Sequence, residues 1–79
     1  MIVLTLYTRA ECHLCGEMLV ELTPLVEGRA RIEIVDIDTD AALTLRFGQI
    51  IPVLMHGDDE LSRLLLDSSR VVELLDRSP

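Results

Sequence analysis

The spacing of apolar and polar positions changes several times along the chain, and each change marks an element. Met1 to Tyr7 (Met-Ile-Val-Leu-Thr-Leu-Tyr) is rich in β-branched and large apolar residues, which predicts a strand buried on both faces. Thr8 to Glu11 is a polar loop. From Cys12 the period becomes helical. Leu14, Cys15, Met18, Leu19, Leu22, Leu25 and Val26 follow i, i+3, i+4 spacing, and Glu17, Glu21 and Glu27 fall on the water-facing side. Pro24 lies inside this pattern and is expected to kink or shorten the helix, because it lacks an N–H and crowds the preceding turn. Gly28 fits a C-terminal cap.

Arg31 to Asp38 (Arg-Ile-Glu-Ile-Val-Asp-Ile-Asp) has partly alternating polarity and predicts a second strand. Thr39 or Asp40 can cap a short helix over Ala41 to Phe47, closed by Gly48. Val53 to His56 predicts a third strand, Gly57-Asp58-Asp59 a turn, and Glu60 to Leu65 a fourth strand, together forming a hairpin. Asp67 or Ser68 caps a last helix carrying Val71, Val72, Leu74 and Leu75. The order is β-α-β-α-β-β-α. Its first half needs a parallel crossover and its second half is antiparallel. The expected architecture is α/β: one mixed four-stranded sheet with helices on both faces, in a single domain over residues 1–79.

Composition narrows the function classes. The apolar fraction of 49% is ample for a core and argues against disorder. No apolar run approaches the ~20 residues that cross a bilayer. The opening residues lack a basic segment and a small-residue cleavage site, so they are expected to be a strand rather than a signal peptide, and the protein is expected to be cytoplasmic. The net charge is -7, all the basic residues are arginines, and Tyr7 and Phe47 are the only aromatics. Such a surface repels nucleic acid and anionic lipid and offers little for base stacking.

Cys12 and Cys15 carry the candidate chemistry. Only two residues separate them, so a disulfide between them closes too short a loop to act as a staple. At the predicted helix start, unpaired backbone N–H groups and the helix dipole favour negative charge on Cys12, and Cys15 follows on the same face within reach of its sulfur. The first thiolate can attack a disulfide and the second can resolve the mixed disulfide. A C-x-x-C pair also occurs in zinc and iron–sulfur sites, and it can be structurally inert, so metal ligation and an interaction protein that has lost turnover stay open as alternatives. His13, between the cysteines, either modulates them or is a solvent-exposed helix residue. Arg9 either offsets Glu11, holds an anionic substrate group, or is a plain loop charge. His56 is expected in an exposed turn, Tyr7 in packing, Asp58, Asp59 and Glu60 as solvated acids, and Leu64-Leu65-Leu66 in the core.

Tyr7-Thr8-Arg9-Ala10-Glu11-Cys12-His13-Leu14-Cys15 resembles the active-site stretch of glutaredoxins, where a strand ending in Tyr leads through a basic residue to C-x-x-C. Ile51-Pro52-Val53 is similar to the cis-proline segment of the thioredoxin superfamily, and Asp36-Ile37-Asp38 to the end of the second glutaredoxin strand. This resemblance, to short bacterial glutaredoxin-like proteins, spans nearly the whole chain. It implies a thioredoxin-like fold with the first strand central and Pro52 facing the cysteine pair. It implies a thiol–disulfide oxidoreductase with Cys12 and Cys15 catalytic and Arg9, His13, Ile51 and Pro52 at the substrate, the Ile51 backbone pairing with it like an added strand. The expected partner is a disulfide-containing protein or a low-molecular-weight thiol, and the chain is expected to be monomeric. No cofactor is expected. His13-Leu14 replaces the family's usual Pro-Tyr between the cysteines. The Gly-Gly pair that begins the family's glutathione grip is absent, with Ser62 and Arg63 in that region, which leaves glutathione open as a ligand.

Overall fold

Seven residues of strand, β1 (Ile2–Thr8), run through the middle of the molecule and organise everything else. The structure, a computed structural model, describes residues 1–78. After β1 come α1 (His13–Val26), β2 (Ala30–Asp36), one 3₁₀ turn (Ile37–Thr39), α2 (Ala41–Phe47), β3 (Val53–His56), β4 (Asp59–Arg63) and α3 (Ser68–Arg77). The sheet order is β2-β1-β3-β4. β1 runs parallel to β2 and antiparallel to β3, and β3 pairs antiparallel with β4 with a register shift between Leu54 and Met55. The expected mixed four-stranded sheet is present, with β1 in its interior.

Side-chain alternation sends two cores to opposite faces. Leu4 and Leu6 of β1 and Leu54 of β3 pack with Met18, Leu22 and Val26 of α1 and Val71, Leu74 and Leu75 of α3. On the other face Val53 and Met55 of β3 meet Ile37 and Phe47, with half-buried Tyr7, Leu43, Ile50 and Ile51 around them. β1 therefore departs from the expectation of burial on both faces. Only Leu4 and Leu6 are fully buried, because the short α2 covers less of its face than α1 and α3 cover of theirs.

Local chemistry fixes the helix ends. The Asp40 carboxylate accepts the Ala42 N–H at 2.8 Å and the Gly48 N–H donates to the Thr44 carbonyl at 2.9 Å, so α2 starts and stops where its sequence signals place it. The Asp67 carboxylate accepts the Arg70 N–H at 3.3 Å and the Ser69 hydroxyl at 2.6 Å at the start of α3, and these bonds hold its carboxyl below the usual range. Gly28, at φ 77°, takes the left-handed turn after α1.

Several expectations are corrected. Pro24 does not shorten α1, which continues to Val26. The bond Pro24 cannot make would go to the carbonyl of Val20, whose side chain is exposed, so water can serve it, and buried Leu22 and Val26 hold the last turn. β2 ends at Asp36 rather than Asp38, because the Asp36 carboxylate accepts the Asp38 N–H at 2.9 Å and turns the chain into the 3₁₀ segment. β4 ends at Arg63 rather than Leu65. Leu64 adopts φ 66° and Leu65 bonds back to Arg63, which leaves both leucines exposed and only Leu66 packed on the core. Leu14, expected on the core face, is exposed, since the buried stripe of α1 is Cys15, Met18, Leu22 and Val26. His56 closes β3 half-buried rather than standing in an exposed turn.

Candidate functional site

The loop from β1 to α1 ends in Glu11, a non-glycine residue at φ 59°. That left-handed conformation costs about 1–2 kcal/mol and turns the chain sharply so that Cys12 arrives as the N-cap of α1. The Cys12 sulfur accepts the Cys15 N–H at 3.2 Å, and the Cys12 carbonyl accepts the Gly16 N–H at 3.2 Å. Cys12 and Cys15 are joined as a disulfide, with Cα atoms 5.2 Å apart. The two sulfurs differ in access. Cys15 belongs to the buried stripe of α1 at 5% exposure, whereas Cys12 is half-buried and lines two surface grooves.

The first groove, about 500 Å³, runs from Cys12 and Cys15 past Thr8, Arg9 and Glu11 to Ile34 of β2. The second, about 600 Å³, runs along α1 and is lined by Cys12, His13, Gly16, Glu17, Val20 and Glu21. The residues along α1 beyond His13 are not among the expected site residues, although the sequence carries a signal for them. Cys12, Gly16 and Val20, and likewise His13, Glu17 and Glu21, recur every four positions on one helical face.

Arg9 is not a free cation at the site. Its guanidinium forks onto Asp38, with Nε to Oδ2 at 3.1 Å and Nη2 to Oδ1 at 2.6 Å, and Nη1 reaches the Gly48 carbonyl at 3.5 Å. These bonds tie the β1–α1 loop to the 3₁₀ turn and the end of α2. They hold the Asp38 carboxyl below the usual carboxylate range and push the Arg9 guanidinium up. His13 is 88% exposed, and its Nε2 stands 2.9 Å from Glu17 Oε1, one turn along α1. The Ile51–Pro52 bond is cis and Pro52 is buried at the head of β3, where its carbonyl accepts the Leu64 N–H at 2.8 Å. Ile51 and Pro52 line neither groove. Among the described residues no backbone hydrogen bond uses the Ile51 N–H or carbonyl.

Other candidates resolve into packing and ion pairs. Tyr7 stacks on Phe47 with ring centres 4.4 Å apart, and the Arg46 guanidinium lies 4.6 Å from the Phe47 ring centre. Glu60 pairs with Arg63 at 2.8 Å and Asp59 with Arg70 at 3.5 Å. A tetrahedral zinc site draws on four ligands. Among the described residues no three His, Cys, Asp or Glu side chains converge on one point. Among the described residues no helix is long and apolar enough to cross a membrane.

Comparison with known proteins agrees with this arrangement. The crystal structure of the structural-genomics target XcR50 from X. campestris superposes with a TM-score of 0.69 at 37% identity, over 96% of this chain and 99% of that one. The solution structure of the same target gives 0.70 at 37% identity, over 100% and 97% of the two chains. A thioredoxin-2 described as a component of the malaria parasite protein secretion machinery gives 0.65 at 19% identity over 99% of this chain and 84% of that one, a likeness of fold alone. No curated protein matches the chain. The family model described as Glutaredoxin-like domain (DUF836) matches residues 3–76. With its C-x-x-C pair capping a helix on a thioredoxin-like sheet, the chain belongs to the glutaredoxin-like domain family.

Proposed function

We propose that the protein is a thiol–disulfide oxidoreductase in which Cys12 is the nucleophile and Cys15 the resolving thiol. The unequal access of the two sulfurs carries this reading. Cys12 is half-buried and lines both grooves, while Cys15 lines the first alone and is 5% exposed. In the reduced protein, negative charge on the Cys12 sulfur is favoured by the Cys15 N–H that already points at it and by the first turn of α1. The thiolate attacks one sulfur of a substrate disulfide, forming a mixed disulfide and releasing one substrate thiolate. Cys15, after losing its proton to solvent, attacks Cys12 Sγ. This releases the second substrate thiolate and leaves the intramolecular disulfide seen here. Two electrons pass to the substrate, and an external dithiol or thiol returns them.

The substrate is a disulfide-containing protein or a low-molecular-weight thiol adduct, handled by a monomer in a reducing, cytoplasmic setting. The unengaged Ile51 backbone is the group offered to an extended substrate, with Pro52 holding it. His13 serves the substrate side of the groove, and Arg9 acts by fixing the loop through Asp38. The test is reduction of insulin or a small disulfide by dithiothreitol-charged protein. Cys12→Ser is expected to reduce turnover at least 10³-fold, and Cys15→Ser to accumulate a mixed disulfide on Cys12, seen by mass spectrometry. Equal turnover in wild type and Cys12→Ser overturns the reading.

A further inference from the structure

We infer that the site selects disulfides that carry positive charge beside the sulfurs and disfavours anionic ones, glutathione disulfide among them. This rests on the oxidoreductase reading and concerns the substrate class of the same two grooves. The observation behind it is the charge balance around Cys12. The lining acids are Glu11, Glu17 and Glu21. Both lining groups able to carry positive charge are already engaged: Arg9 is forked onto Asp38, and His13 stands 2.9 Å from Glu17. Glu11 and Glu21 have no ion-pair partner among the described residues, and the chain as a whole carries a net charge of -7. An entering carboxylate therefore meets uncompensated negative charge along both grooves that reach Cys12, and an entering ammonium or guanidinium meets a complementary one. Val20, at 75% exposure, lies between Gly16 and Glu21 in the second groove and gives the carbon chain of such a cation an apolar surface.

The electron balance is that of the proposed reaction. The Cys12 thiolate displaces one amine-bearing thiolate from the cationic disulfide, and Cys15 displaces the second from the mixed disulfide. Each leaving thiolate takes a proton from water, and a dithiol in solution restores the Cys12–Cys15 pair.

The test uses the full chain with dithiothreitol as reductant and two small disulfides, cystamine with its amines and dithiodiglycolate with its carboxylates. The ratio of their kcat/KM values is the readout. Comparing that ratio between variants cancels the intrinsic reactivity of each probe and any change in Cys12 nucleophilicity. Glu11→Gln is expected to lower the cystamine preference about threefold, from the Coulomb interaction of unit charges roughly 7 Å apart in salt water, and Glu21→Gln, roughly 13 Å along α1 from Cys12, to lower it by less. Raising salt from about 0.02 M to about 0.5 M is expected to shrink the preference in the wild type, with no variant required. An arginine-flanked cystine peptide and its glutamate-flanked counterpart, run alongside, distinguish a protein source from a small-molecule one. A preference for the cationic member of either pair that shrinks with salt and with the variants supports the inference. Both disulfides reduced, with a ratio that neither salt nor the variants move, overturns the inference and leaves the oxidoreductase reading standing. Reduction of none of these disulfides, peptides and insulin included, overturns the oxidoreductase reading itself, and this inference with it.

Discussion

The two faces of the sheet are unequal, and the inequality separates stability from positioning. The face under α1 and α3 holds a contiguous core running from Leu4 and Leu6 through Met18, Leu22 and Val71 to Leu75. The opposite face holds the smaller buried cluster of Ile37, Phe47, Val53 and Met55, covered by the 3₁₀ turn and the short α2. That thin face nevertheless carries Asp38, Gly48 and the Ile51–Pro52 segment, which anchor Arg9 and end at the head of β3. The cysteines sit at the start of α1, which is fastened to the thick face through Met18, Leu22 and Val26. The cysteine pair thus starts the helix that covers the thick face, and the groups that hold Arg9 beside it belong to the thin one.

The largest challenge to this contrast is Leu22→Ala. Leu22 is fully buried in the thick core, so its truncation is expected to cost about 2–5 kcal/mol, a large share of the stability of so small a domain. Urea unfolding reads this directly, and a loss under about 1 kcal/mol means that the α1 face does not carry the fold as described. Phe47→Leu probes the other face. It keeps an apolar side chain but removes the stack on Tyr7 and the surface under Arg46, for an expected cost of about 1–2 kcal/mol. Its effect on kcat/KM is expected to exceed that of a thick-face substitution of equal ΔΔG, measured at a temperature where both variants are folded. Equal activity at equal stability erases the distinction between the faces.

The smallest effect is a pH dependence. Arg9 holds the Asp38 carboxyl below its ordinary value, chiefly by hydrogen bonding. A carboxyl depressed in the folded state contributes stability that is full above its unfolded pKa and is lost as pH falls through its folded one, so the loss lies below about pH 4. Arg9→Met removes the cause of that depression. The urea midpoint of the variant is expected to fall less between pH 5 and pH 3 than that of the wild type, and identical slopes break the assignment. Glu60 and Asp67, also depressed, remain in both proteins and cancel in the difference.

Much of this layout was legible in the chain wherever local chemistry decides the outcome. The period change at Cys12, the Asp40 cap with Gly48 closing α2, and the Val53–His56 strand are set by residues a few positions apart, and they appear where the spacing places them. What escaped depends on contacts distant in sequence or on backbone torsions. Arg9 reads as a free cation until the fold brings Asp38, 29 positions away, onto its guanidinium. Leu64-Leu65-Leu66 has no internal period, so nothing local announces that Leu64 turns at φ 66° and exposes two of the three. Leu14 satisfies the helical spacing, yet a 14-residue helix on a small sheet buries a stripe only as wide as Cys15, Met18, Leu22 and Val26. The first groove needs Thr8, Arg9 and Glu11 from before α1 and Ile34 from β2, a meeting that no local period announces.

The open margins of the sheet have a consequence of their own. β2 and β4 are its outer strands, and an unpaired strand edge is a template on which a second copy of a chain can add and begin to aggregate. Each outer strand carries an ion pair at its surface, Arg31 with Glu33 on β2 and Arg63 with Glu60 on β4. β4 is only five residues long, and the left-handed turn at Leu64 bends the chain away from its line just where an incoming strand would continue. A chain that is nearly half apolar thus meets its own copies with two short, charged borders, and the turn that exposes Leu64 and Leu65 also denies them a straight strand to extend.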